Sequence, residues 1–157
     1  MDSDRDTRIE LLRGELLGGP LRSQASANAV LELAILMAAA DGDVSDREAE
    51  QIVDIVHRLA GGPFDVTGLR GVVTVTRERL AREGADRRID AAAAAIRDPA
   101  ERLQAFRIVA AVALVDRWLD RAELRLFNSL ARAFAIPPDE SGRIVTEIRQ
   151  KLFPTED

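Results

Sequence analysis

The sequence predicts an all-α protein: a single helical bundle of about seven helices with an internally duplicated helix-turn-helix. Three observations carry this. Apolar residues recur at helical spacing through successive stretches of the 157-residue chain. Gly, Pro, Asp and Ser stand where those stretches begin and end. The segment Ala38-Ala39-Ala40-Asp41-Gly42-Asp43-Val44-Ser45-Asp46-Arg47-Glu48 returns 75 residues later as Ala113-Leu114-Val115-Asp116-Arg117-Trp118-Leu119-Asp120-Arg121-Ala122-Glu123. Two similar helix hairpins at opposite ends imply a duplicated helical unit about a pseudo-twofold axis.

Each element follows from local chemistry. Residues 4–17 carry Ile9, Leu12, Leu16 and Leu17 at helical spacing, and Gly18-Gly19-Pro20 stops them, so 1–23 read as a lead-in segment with a short helix. The helical domain proper spans 24–153. Residues 24–40 form a helix whose second half has Glu32 as its only charge, and a helix apolar on nearly every side belongs in the middle of a bundle. Residues 45–60 place Ala49, Ile52, Val56, Leu59 and Ala60 on one stripe, with Asp46, Glu50, Asp54 and Arg58 opposite. Gly61-Gly62-Pro63 ends that helix. Residues 64–83 are ambiguous, because Val72-Val73-Thr74-Val75-Thr76 has strand propensity; with no second strand to pair with, helix is predicted.

The alanine-rich residues 86–97 form another helix, and Asp98-Pro99 restarts the chain with proline at a first helical position. Residues 99–115 supply the second central helix, with Leu103, Phe106, Val109, Ala110 and Ala113 inward. Residues 120–135 repeat the outer arm through Leu124, Phe127, Leu130, Ala131 and Phe134. After Pro137-Pro138, a final helix shows Ile144, Val145, Ile148 and Leu152 on its apolar face.

The acidic turns are the one constellation that stands out chemically: Asp41, Asp43, Asp46 and Glu48 in the first, Asp116, Asp120 and Glu123 in the second. Ser45 and Glu48 form a capping box, in which the hydroxyl accepts from a free amide of the new helix and the carboxylate reaches back. Asp120 and Glu123 repeat its spacing. Asp41 and Asp116 end apolar helices, where a carboxylate faces the negative end of the macrodipole and is disfavoured by about 0.3 to 1 kcal/mol. A hard cation held by oxygens would offset that cost, and so would the free amides of the next helix. Both readings stand on these residues. The turn is not an EF-hand, since Asp46 falls where that loop needs glycine and Ile52 where it needs the bidentate Glu.

An apolar helix ending in Ala-Asp-Gly, with Val44 two positions on and Glu48 four further, resembles the TerB tellurite-resistance family. So does the second copy closing in Leu130-Ala131-Arg132-Ala133-Phe134-Ala135-Ile136-Pro137. The resemblance covers residues 29–152 and implies a bacterial, TerB-like helical domain linked to tellurite or broader chemical stress. It also implies protein partners near membrane-associated complexes. An acidic cluster mapping onto Asp41, Glu48, Asp116 and Glu123 is implied as a divalent-metal site, for calcium, magnesium, manganese or zinc. With Asp43 and Asp120 added, these six carboxylates are the candidate metal ligands. The second copy departs from the family pattern: Arg117 replaces glycine and Trp118 follows, so a cation from the chain itself can stand where a metal would.

Composition excludes several classes. The net charge of −5 argues against nucleic acid as a general partner. The absence of cysteine rules out disulfides, thiolate metal sites and cysteine nucleophiles. The longest apolar run, 33–40, is far short of the roughly 20 residues that span a bilayer, so no direct membrane insertion is expected. The acidic start lacks a signal-peptide pattern, which makes the cytoplasm the expected compartment. The one histidine, His57, reads as a solvated residue beside Asp54, and the Gly-Gly-Pro turns lack a phosphate-loop pattern. Arg77, Arg79, Arg82, Arg87 and Arg88 read as a solvated face. The expected function is therefore non-enzymatic; the alternatives are a metal-assisted hydrolase or a structural interaction module with no ion.

Overall fold

Two helices apolar on nearly all sides form the centre of the bundle, and the others wrap them. The structure, a computed structural model, describes residues 3–16, 21, 23–42, 44–60, 65–115 and 121–153. Among these residues there are eight α-helices and one 3-10 turn, against about seven expected. The chain runs α1 (Ser3–Leu16), α2 (Gln24–Ala38), the 3-10 turn (Ala39–Asp41), α3 (Asp46–Ala60), α4 (Val66–Glu83), α5 (Ala85–Ala94), α6 (Pro99–Leu114), α7 (Arg121–Ala133) and α8 (Pro138–Leu152). No helix among them is long and apolar enough to cross a membrane.

The central α2 is capped by Ser23, whose side chain accepts from the Ser26 amide, and it buries a continuous run from Ala29 to Met37. It contacts α3, α4, α5, α6 and α7. α6 is the other central helix, capped by Asp98 on the Glu101 amide with Pro99 in its first turn. Small residues such as Ala34, Ala110 and Ala111, all almost fully buried, let these helices approach closely. The Phe106 ring of α6 meets Phe127 of α7 edge to face, with centroids 5.7 Å apart. α1 lies against α3, α6 and α8. It buries Ile9 and Leu12 and is tethered by Arg58 of α3, which bonds Asp6 at 3.1 Å and Glu10 at 3.2 Å. Burial rather than the exposed ion pairs dominates that docking.

The β-branched run 72–76 is helical, as the missing strand partner predicts. Leu69, Val73 and Thr76 fall on one face of α4 and are its buried residues, and tertiary packing of that face overrides a poor propensity. Gly68 and Gly71 weaken α4 further, by about 1 kcal/mol each relative to alanine. Gly84 ends α4 and opens α5 at φ 86°, a conformation glycine adopts without strain. α7 ends in a Schellman arrangement, Ile136 N–H to Ala131 O at 2.8 Å and Ala135 N–H to Arg132 O at 3.0 Å. There Ala135 takes the left-handed position, at φ 60°, that glycine usually fills.

Among the described residues, one buried side-chain polar group has no partner: the amide nitrogen of Gln104, on a residue 7% exposed. Replacing it with a near-isosteric apolar chain removes a desolvation penalty of about 1 to 3 kcal/mol. Gln104→Met is therefore expected to raise the urea midpoint, by about 1 kcal/mol of stability, with the m-value unchanged.

Candidate functional site

The first acidic turn forms where α2 tightens. The α-helix ends at Ala38 and the 3-10 turn carries the chain to Asp41, whereas Ala39 and Ala40 were expected to be α-helical. Gly42 closes the turn at φ 154° and ψ −170°, with its N–H on Ala39 O at 3.2 Å. The capping box read from the sequence is present. The Glu48 N–H donates to Ser45 Oγ at 3.1 Å, and the Ser45 N–H donates to Glu48 Oε1 at 3.2 Å. That satisfies orphan donors at the start of α3.

An arginine from another helix grips the backbone at each turn. Arg77 of α4 donates to Val44 O at 2.7 Å and to Asp46 Oδ1 at 2.9 Å. Arg8 of α1 donates to Val115 O, at the end of α6, at 3.1 Å, while its guanidinium lies 4.7 Å from the centre of the Phe153 ring. A cation at the C-terminus of a helix complements the macrodipole. The penalty on a carboxylate following α6 is thus partly offset by a charge that spacing alone did not reveal.

Of the six predicted metal ligands, Glu48 is described in full. Asp43, Asp116 and Asp120 lie outside the described residues, as do Arg117 and Trp118. For Asp41 and Glu123 the backbone alone is described, in the 3-10 turn and in the first turn of α7. The 3-10 turn packs against α7, so the chain entering the first acidic turn and the helix following the second are neighbours. Among the described residues, no group of three or more His, Asp or Glu side chains is placed to hold an ion. His57 is half-buried on α3.

The basic stretch read as a solvated face requires a correction at two positions. Arg77 clamps the first turn, as described above. Arg88 is 9% exposed and makes a two-pronged pair with Glu32 of α2, Nε to Oε2 at 2.7 Å and Nη2 to Oε1 at 3.1 Å, with Nη1 reaching Glu83 at 3.3 Å. The fork-to-fork geometry suits guanidinium and carboxylate. The hydrogen bonds it donates to Glu32, outweighing desolvation, hold the Arg88 guanidinium above its ordinary range. Two signals pointed to the pair: Glu32 is the lone charge on the apolar half of α2, and Arg88 shares a helical face with Ala92. The pair forms one wall of a groove of about 590 Å³ between α2, α4 and α5. The arginines Arg79, Arg82 and Arg87 are exposed, as predicted.

A family model described as tellurite resistance protein TerB matches residues 27–146. No curated protein and no solved structure matches the chain significantly. The matched span runs from the first buried turn of α2 to the middle of α8, taking in both acidic turns and the whole central pair of helices, and on that extent the chain belongs to the TerB family.

Proposed function

We propose that this chain is a non-enzymatic protein of the response to tellurite and related chemical stress, working through protein partners in the cytoplasm or at a membrane-associated complex. The carboxylates of its two acidic turns, Asp41, Asp43, Glu48, Asp116, Asp120 and Glu123, take up one divalent cation, drawn from calcium, magnesium, manganese or zinc. The observation that supports this most is the packing of the 3-10 turn Ala39–Asp41 against α7, the helix that follows the second acidic turn in the sequence. All-oxygen donors of this kind suit hard cations. With one histidine and no cysteine in the chain, acid–base or nucleophilic catalysis has few candidates.

A second reading has its own support. Glu48 Oε1 is engaged in the capping box and Asp46 pairs with Arg77, which favours turns that only cap helices and carry no ion. Thermal unfolding of chelator-stripped protein, titrated with each of the four cations, separates the two. A site that binds only the folded state adds about 2.7 kcal/mol at 100 times its dissociation constant. The expected result is a saturable rise in Tm that Asp41→Asn with Asp116→Asn abolishes. No rise with any cation would leave the turns as caps.

A further inference from the structure

The groove between α2, α4 and α5 lies toward the start of α2, whereas the acidic turns follow the ends of α2 and α6. Each helix presents residues to it at i, i+3, i+4 and i+7: from Ala25 to Glu32 on α2, from Gly68 to Val75 on α4, and from Arg88 to Ala95 at the end of α5. The walls are built from small side chains such as Ala25, Ala29, Ala91 and the two helix glycines, so none of the described residues fills the space. A Cβ added at Gly71 would meet no atom within 4 Å. The fold therefore gains nothing from glycine there, although glycine weakens α4. Close approach by another backbone is what such a residue permits.

Among the described residues, three charged ones line the groove, Glu32, Arg79 and Arg88; Glu32 and Arg88 neutralise each other as a pair, which leaves Arg79 as the net positive charge there on a chain whose net charge is −5. Arg79 lines the groove and makes no ion pair among the described residues, and Val75 beside it is 39% exposed. An open trough walled by three helices matches the apolar stripe of a fourth helix better than an enclosed small molecule. We infer that this groove docks an acidic amphipathic helix of a partner protein, with the apolar stripe against the glycine and alanine walls and flanking carboxylates on Arg79. The inference rests on the reading of the chain as one that works through protein partners, and it names the face that does so.

The test uses the full chain and a fluorescein-labelled synthetic peptide of roughly 18 residues, long enough to be helical, with a Leu/Ala stripe flanked by Glu. A second peptide carries Lys in place of every Glu. The Glu peptide is expected to bind saturably and at least about tenfold tighter than the Lys peptide, with amide NMR shifts concentrated in α2, α4 and α5. Gly71→Trp fills the trough and is expected to weaken binding at least about tenfold with the Tm retained. Gly71→Ala should raise Tm by about 2 to 4 °C. Arg79→Glu, an exposed change that leaves the core untouched, should reverse the preference between the peptides.

Equal affinity for both peptides, shifts elsewhere on the chain, or unchanged binding by Arg79→Glu would overturn the proposal. So would a concentration-dependent dimer abolished by Gly71→Trp, which would give the groove to a second copy of the chain. The cation reading fails separately. A cation-dependent Tm without peptide binding removes the groove and leaves the turns, and the converse removes the turns and leaves the groove.

Discussion

Arg88→Met is expected to destabilise the protein by about 3 to 5 kcal/mol, because it leaves the Glu32 carboxylate buried without its partner. Glu32 is 7% exposed and its two oxygens both accept from the same guanidinium. Water cannot readily replace those bonds in the middle of α2. Removing the carboxylate instead, by Glu32→Leu, strands a buried cation with Glu83 as its remaining partner, at 3.3 Å, and is expected to be slightly less severe. The double substitution Glu32→Leu, Arg88→Met should recover most of the loss, since a buried pair replaced as a unit by apolar chains is often neutral or stabilising. Urea unfolding of the four proteins reads the cycle, and additive losses in the double variant would refute a coupled pair.

The pH dependence of this pair has a definite sign. The Arg88 pKa is raised in the folded state, chiefly by its hydrogen bonds to Glu32. A raised folded pKa on a cation gives stability that is fully present below the unfolded value and lost only as pH climbs through the folded one. For a guanidinium both values lie above any pH in ordinary use. Arg88 titration should therefore contribute no slope to stability between about pH 5 and 9, and urea midpoints of wild type and the double variant compared across that range check this.

Phe106→Ala is the other large effect, expected to cost about 3 to 5 kcal/mol. Phe106 is 1% exposed at the contact of α6 with α7. Its loss removes the edge-to-face contact with Phe127 as well as its own burial. The variant should unfold at lower urea with a similar m-value. Phe106→Leu keeps most of the apolar volume and should cost less.

Both large effects come from residues whose partners are far away in the chain, and that division runs through the whole protein. By itself the sequence determined what is decided within a few residues. The Ser45–Glu48 box, the restart at Asp98-Pro99, and the apolar faces of α3, α7 and α8, apart from Leu124 of α7, which is 47% exposed, all follow from local pattern. The all-helical class and the family membership rest on the same local pattern repeated along the chain. Even α4, with its strand-prone run 72–76, was legible as a helix once no strand was found to pair with it.

The tertiary structure decided everything that depends on which faces meet. Arg88 and Glu32 are 56 residues apart, and Arg77 and Val44 are 33 apart. Composition placed all five arginines of that stretch on one solvated face, whereas packing turned Arg88 inward and aimed Arg77 at the first acidic turn. The groove beside Arg79 likewise has no signature in any single helix, because its three walls come from α2, α4 and α5. Helical periodicity specifies the direction of a side chain about its own axis. The neighbour it meets is set by how the helices pack around α2 and α6, where close contact between alanine-rich faces selects one arrangement of the whole bundle.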